Sequence, residues 1–301
     1  MPSNPQQTYW LHYLWIYGFV ILAFGVVWEM NRTTTKTKKP SGEARPDSID
    51  AMVFAGASQK TKTPMLRNTN HTQEFEQFKT EVERQAYLYP QFFLLESPSF
   101  QKKVALTFDD GPDTTVTPEV LRILKAQKVK ATFFVVGFKI LRHKALLQQM
   151  LDEGHCIGNH SFDHPNFKTQ AWPTVWQEQV EKTEKLTEKL TGKKMRFVRP
   201  PYGQLTDAQI KELGKKDYRV VNWSIDAYDW DNQKNDPEAV CDRIMNNIHP
   251  GAIILMHNGE KRGNTVLALP ALIRRLRAEG YEPVALDELL ATMAYHRSAQ
   301  E

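Results

Sequence analysis

From about Phe100 to Met293, short apolar runs alternate with longer stretches whose apolar residues recur every three or four positions. The runs are VALTF (104–108), ATFFVV (131–136), HCIGN (155–159), RFVRP (196–200), RVVNWSI (219–225), AIILMH (252–257) and PVAL (283–286). Helical periodicity fills residues 117–127, 140–153, 173–190, 206–214, 236–247 and 264–279. The longest of these puts Trp176, Val180, Thr183 and Leu190 on one face, with Pro173 near its start and Gly192 just past its end. A run too short for a helix followed by a segment of helical period reads as a strand followed by its return helix. About seven such units predict a parallel sheet closed or nearly closed into a barrel. No internal sequence repeat accompanies the structural one.

Upstream the pattern differs. Tyr9 to Trp28, YWLHYLWIYGFVILAFGVVW, has 20 residues and no formal charge. At ~1.5 Å per residue it is long enough to cross a bilayer, and aromatics stand at both ends as membrane interfaces favour. No Lys or Arg precedes it and no small-residue cleavage site follows Val26–Val27–Trp28, so it reads as an uncleaved anchor. Residues 31–70 are polar and rich in Thr, Lys, Ser, Pro and Asn, the composition of a flexible linker. In FEQFKTEVERQAYLY (75–89), Phe75, Phe78, Val82 and Ala86 or Tyr89 share a face, which predicts a short amphipathic helix that either packs on the domain or acts as a spacer. The expected organisation is an anchor at 1–30, a linker at 31–70, an amphipathic helical spacer at 71–97 and a catalytic domain at 98–295.

Composition narrows the function classes. The net charge of +4 is small, and no basic run carries interleaved aromatics, so a nucleic-acid partner is not expected. Arg32, Lys36, Lys38, Lys39 and Arg45 follow the apolar segment and none precedes it, which the positive-inside rule reads as a cytoplasmic C-terminal side. The two cysteines, Cys156 and Cys241, form no C-x-x-C pair and exclude a cysteine-rich zinc site. Cys156 reads as a small buried hydrophobe rather than half of a disulfide.

In a parallel barrel the reacting groups sit at the C-terminal ends of the strands. Five predicted strand ends deliver ionisable or metal-binding groups to one rim. They are Asp109 and Asp110, His160 with His164 four residues on, Arg199, Asp226 through Asp229 and Trp230, and His257. One oxygen and two nitrogens from Asp110, His160 and His164 suit a divalent cation such as Zn²⁺ with positions left for water and substrate. The adjacent Asp109 is then available for proton transfer, held as a carboxylate by Arg199. His257 can act as a general acid, oriented by Asp229, and a backbone N–H near Tyr202 can stabilise an oxyanion. A non-haem iron oxygenase also uses two His and one carboxylate, but has no need of Asp109, Arg199 and His257.

The stretches TFDDGP (107–112), HSFDH (160–164), RPPYG (199–203), DAYDW (226–230) and LMH (255–257) resemble, in order and spacing, the five motifs of the polysaccharide deacetylase family, the NodB-homology domain of carbohydrate esterase family 4. The resemblance covers residues 100–293. It implies a distorted (β/α)7 barrel and removal of N-acetyl groups from amino sugars of a cell-wall glycan, N-acetylglucosamine of peptidoglycan first. Chito-oligosaccharide or N-acetylmuramic acid deacetylation is the alternative, and a catalytically dead glycan-binding protein the remote one. It implies Asp109 as base, Asp110, His160 and His164 as ligands of a divalent metal, Zn²⁺ ahead of Co²⁺ or Ni²⁺, and Arg199 as partner of the base. It further implies His257 as acid tuned by Asp229, Tyr202 as backbone oxyanion donor, and Trp230 and Leu255 as walls of the acetyl pocket. Members that carry Asn at the position of Asp109 are linked to muramic-acid substrates, so the intact Asp109 favours the N-acetylglucosamine type. Asn258 departs from the pattern, where Asp is common. The implied setting is a single-pass, membrane-anchored enzyme with its catalytic domain outside the cytoplasm and a polysaccharide as its partner.

Overall fold

The computed structural model describes residues 65–67, 73–260 and 262–296. The apolar segment 9–28 and most of the 31–70 linker lie outside these residues. Among the described residues no helix is long and apolar enough to cross a membrane.

The expected strand–helix alternation is present. After a helix α1 (Gln73–Leu88) come strands β1 (Phe93–Leu94), β2 (Lys103–Gly111), β3 (Thr132–Val135), β4 (Cys156–Asn159), β5 (Phe197–Val198), β6 (Arg219–Val221), β7 (Ile225–Asp226), β8 (Ile253–His257) and β9 (Glu282–Val284). Every ladder is parallel, and the strand order is β1-β6-β5-β4-β3-β2-β8-β7, with β9 also paired to β2. The sheet curls without a ladder joining β1 to β7 among the described residues, so the barrel is open on that side. Glu96, just after β1, forms an antiparallel bridge to Ala252 at the foot of β8.

The apolar runs are continuous because each strand is packed on both faces. In β2, Val104, Leu106 and Phe108 join an outer core with the helix Val116–Gln127 and the helix Gly263–Ala278. Ala105 faces the opposite way, into a second core with Phe134, Phe197 and Leu255. The period-two alternation of a strand therefore sends Thr107 and Asp109 inward with Ala105. The helices stop where the sequence indicates. Asp207–Lys215 starts with a capping box in which Thr206 and Gln209 satisfy each other's backbone N–H groups, and Lys182–Thr191 stops at Gly192 in a left-handed conformation.

One feature differs from the expectation, and one alternative left open by the sequence is decided. The run 219–225 is not one strand but two, β6 and β7. Arg199 explains the break: it donates from Nε to the Val221 carbonyl at 2.9 Å and from NH2 to the Asn222 carbonyl at 3.0 Å, groups a continuous strand would use in its ladder. Of the two readings open for the segment 71–97, spacer or part packed on the domain, the structure shows the second. Val82 and Ala86 are buried in the inner core, Arg84 binds Asp207 through two N–H donors, and Gln85 donates to the Leu205 carbonyl. The residues beyond α1 supply β1, whose two residues pair with Val220 and Val221 and are too few to leave a periodic signal.

This docking makes α1 part of the cooperative unit. Val82→Ala removes buried methyl groups and is expected to lower the stability of the domain by about 1–3 kcal/mol. Unfolding in urea, followed by tryptophan fluorescence and circular dichroism, should remain a single transition. A separate early step, with the main transition unmoved, would make α1 an independent appendage.

Candidate active site

The site begins with a defect in a strand. Asp109 pairs with Phe134 of β3 and Gly111 pairs with Val135, so Asp110 is an extra residue, a β-bulge. Its φ of +71° is in the left-handed region. In a regular strand the side chains of neighbours point to opposite faces. The bulge instead brings both carboxylates to the same cleft. Lys139 donates to the Asp110 carbonyl at 2.7 Å and holds the bulge from outside.

Strand register places the other groups level with this pair. His257 ends β8 directly opposite Asp109. Asn159, the last residue of β4, pairs with Val198 of β5, so His160 and Arg199 leave their strands side by side. Four turns at the rim use left-handed backbone at Ser161, His164, Tyr202 and Tyr228, conformations that non-glycine residues seldom adopt. They turn the chain so that His164 doubles back. Its Nε2 comes within 3.2 Å of Asp110 Oδ1, and His160 Nε2 lies 3.6 Å from the same oxygen.

One donor atom each from Asp110, His160 and His164 lies within 4.8 Å of the others. Ligands at ~2.0–2.2 Å from one cation sit roughly 3–3.5 Å apart, so this set fits a divalent metal with little movement. Ring orientation agrees. His160 Nδ1 is 2.8 Å from the Arg199 carbonyl, an arrangement that puts the proton on Nδ1 and leaves the Nε2 lone pair facing the carboxylates. Burial pushes the His160 imidazole below its usual pKa, which favours the neutral form a ligand needs. For Asp110 burial acts upward, but the hydrogen bond to His164 and the surrounding imidazoles outweigh it and hold the carboxyl well below the usual range.

Asp109 is buried and faces Arg199, whose NH1 donates to Asp109 Oδ1 and to Thr107 Oγ1, each at 2.8 Å. Across the cleft His257 Nδ1 is 2.8 Å from Asp229 Oδ1, while the His257 backbone N–H and Thr265 Oγ1 donate to Asp229 Oδ2 at 2.7 and 2.6 Å. Burial alone would lower the His257 pKa. The Asp229 charge and hydrogen bond, with Asp110 and Asp109 adding to them, raise it to about 9. The imidazole is therefore protonated at neutral pH with Nε2 left to act.

All ten expected site residues meet here. Asp109, Asp110, His160, His164 and His257 line one cleft of about 510 Å³, Arg199 and Asp229 stand behind it, and Tyr202, Trp230 and Leu255 form walls. Sequence reasoning missed the residues that orient these groups. Thr107 and Thr265 anchor Arg199 and Asp229 but carry no motif of their own. Asp226, noted only as a strand end, is buried and accepts from the Trp230 indole at 3.3 and 3.4 Å. Burial pushes its carboxyl up to about 6. Also missed were Glu74, Phe75 and Phe78 of α1, which line the same cleft. Asn258 does not line it; its side-chain amide is buried and donates to Thr117.

The geometry has relatives. Residues 97–221 match the family model described as Polysaccharide deacetylase. Over 213 residues, 70% of this chain and 74% of the relative, the sequence is 35% identical to a peptidoglycan-N-acetylglucosamine deacetylase of Bacillus cereus. Over 193 residues it is 36% identical to the peptidoglycan-N-acetylmuramic acid deacetylase PdaA of Bacillus subtilis, covering 63% of this chain and 72% of that one. Among solved structures, the Bc1960 peptidoglycan N-acetylglucosamine deacetylase superposes with a TM-score of 0.65 at 33% identity, over 67% of this chain and 94% of that chain.

Replacing Asp229 by Asn removes the charge that favours the His257 imidazolium. Its pKa should fall from about 9 toward the ordinary histidine value of about 6.5. Because a raised histidine pKa contributes stability that is present at low pH and lost on titration, the wild type should lose this contribution as pH rises through about 9. NMR titration of the His257 ring, with denaturation at several pH values, measures both effects. A ring that still titrates near its wild-type value in Asp229→Asn would sever the pairing.

Proposed function

The chain belongs to the polysaccharide deacetylase family, and from that membership we propose that it hydrolyses N-acetyl groups on amino sugars of a cell-wall glycan, with N-acetylglucosamine of peptidoglycan as the substrate. One observation carries the reading: a carboxylate held by a buried guanidinium and an imidazole held by a buried carboxylate stand beside the metal-competent triad found among the described residues. An acetamide needs these groups on its two sides. Asp109 takes a proton from the attacking water as oxygen adds to the acetyl carbon. His257 Nε2 gives its proton to the sugar nitrogen as the carbon–nitrogen bond breaks, so that acetate and a free amine leave. Arg199 keeps Asp109 aimed at the water through its 2.8 Å hydrogen bond. We assign oxyanion stabilisation to the backbone N–H of Tyr202 and the walls of the acetyl pocket to Trp230 and Leu255, all of which line the cleft. Asp110, His160 and His164 would hold a divalent cation, Zn²⁺ in our assignment, which would supply Lewis-acid polarisation of the carbonyl. Asp109 also supports N-acetylglucosamine over N-acetylmuramic acid, because it is the carboxylate that the muramic-type members replace by Asn.

We further assign the domain to the outer side of a membrane, anchored through residues 9–28. The glycan substrate supports this, and long domains can translocate despite the lysines that follow the span. Protease added to intact cells should cut within 31–70; protection until lysis would reverse the orientation.

The two adjacent aspartates separate metal binding from proton transfer. Asp110→Ala should lose metal affinity, with part of the activity restored at high Zn²⁺ by His160 and His164. Asp109→Asn should keep its metal yet lose roughly 10²–10⁴-fold in acetate release, the usual contribution of a positioned base. Metal analysis and acetate assays on both proteins decide the matter. Exchanged phenotypes would exchange the roles, and full activity in Asp109→Asn would end the mechanism.

A further inference from the structure

The cleft extends beyond the residues that hold the reacting groups, onto a helix outside the stretch matched by the family model. Glu74, Phe75 and Phe78 of α1 line the same space as Asp109, His164 and His257. The two phenylalanine rings lie 6.4 Å apart, and Phe78 lies 6.0 Å from Trp223. Trp223 in turn packs 5.7 Å from the Arg199 guanidinium that holds Asp109. A continuous aromatic path therefore leads from the base along the cleft to the N-terminal helix. Gly203 permits it: at φ +68°, a Cβ there would stand 2.8 Å from Trp223 and 3.0 Å from Phe78. The space continues as a second groove of about 350 Å³ between α1 and Gln204–Leu205, sharing Glu74, Phe78 and Gln204 with the first.

We propose that Phe75 and Phe78, with Glu74 and Gln204 at the rim, form a subsite for an uncharged pyranose ring adjoining the sugar whose acetamide is cleaved, an inference that rests on the deacetylase reading. The chemistry of the wall selects this ligand. A pyranose offers an apolar face of C–H groups to an aromatic surface and a ring of hydroxyls to a carboxylate and an amide. The wall lies two ring contacts beyond Trp223, along the cleft from the reacting atoms and not over them, so the ring it takes is a neighbour in the chain. Charge selects further. Glu74 stands at this end, with Glu81 against a single Lys168 in the adjoining groove, whereas Arg262 is at the Trp230 end, where it donates to the Trp230 carbonyl at 3.2 Å. An anionic sugar is disfavoured beside Glu74.

Acetate release from N-acetylglucosamine itself and from its pentamer, by the zinc-loaded wild type, Phe75→Ala and Phe75→Trp, tests the subsite. Phe75→Ala should raise KM for the pentamer about tenfold, leave kcat within about twofold, and spare the monosaccharide, which has no neighbouring ring. Phe75→Trp should restore the pentamer KM. Equal losses on monosaccharide and pentamer would show a structural effect of α1 and overturn the subsite, as would an unchanged pentamer KM. If the wild type releases no acetate from either, the deacetylase reading fails for these glycans, and calorimetric titration with the pentamer decides the subsite alone. Weaker binding by Phe75→Ala upholds it; equal binding overturns it.

Discussion

The side chain of Arg199 has no exposed surface, and the site is organised around it. Burying a guanidinium is tolerable only if its charge is met and its donors are satisfied. Asp109 meets the charge. Thr107, Val221 and Asn222 take the remaining hydrogen bonds, and the Phe134 ring lies 4.1 Å from the guanidinium carbon. The same residue's backbone carbonyl fixes the ring of His160, and its backbone N–H donates to Asn159. One residue thus aims the base through its side chain and a metal ligand through its main chain. Burial draws the guanidinium pKa down and the Asp109 charge opposes that shift. Losing either partner would leave an uncompensated charge inside the sheet.

The cost of this arrangement is carried by the backbone. Asp110, Ser161, His164, Tyr202 and Tyr228 all have positive φ, and all lie on the rim that holds the reacting groups. Such conformations cost of order 1–3 kcal/mol each and persist where the surrounding structure enforces them. Here the enforcement is visible. Lys139 pins the bulge, Asn159 Oδ1 accepts from the Ser161 N–H, and Ser161 Oγ accepts from the His164 N–H. The two cores on either side of the sheet supply the stability against which this strain is held.

The site is also layered. Asp109 and His257 are each held by a buried ionisable partner, Arg199 and Asp229, and these in turn are held by neutral groups. Thr107, Thr265 and the carbonyls of Val221 and Asn222 orient without competing for protons. Asp226 is a further buried carboxyl, which steadies the Trp230 indole. Its position near Asp229 and His257 adds negative charge close to the acid, consistent with an imidazole that stays protonated at neutral pH.

Sequence alone determined the alternation of strands and helices, and with it the rim on which Asp109, Asp110, His160, Arg199, Asp229 and His257 meet. These follow from local rules: period, caps, and the placement of polar residues just past apolar runs. Tertiary structure decided what depends on contacts between distant residues. A periodic pattern cannot show that Arg199 interrupts 219–225 into β6 and β7, because the break arises from a side chain 22 residues away from Val221. Nor can it show that Asp110 bulges, since the bulge exists only relative to β3. The amphipathic face of 75–89 was legible, but not what it covers. That face closes onto Trp223 and Leu205, over 110 residues further along the chain, and so turns an apparent spacer into a wall of the cleft.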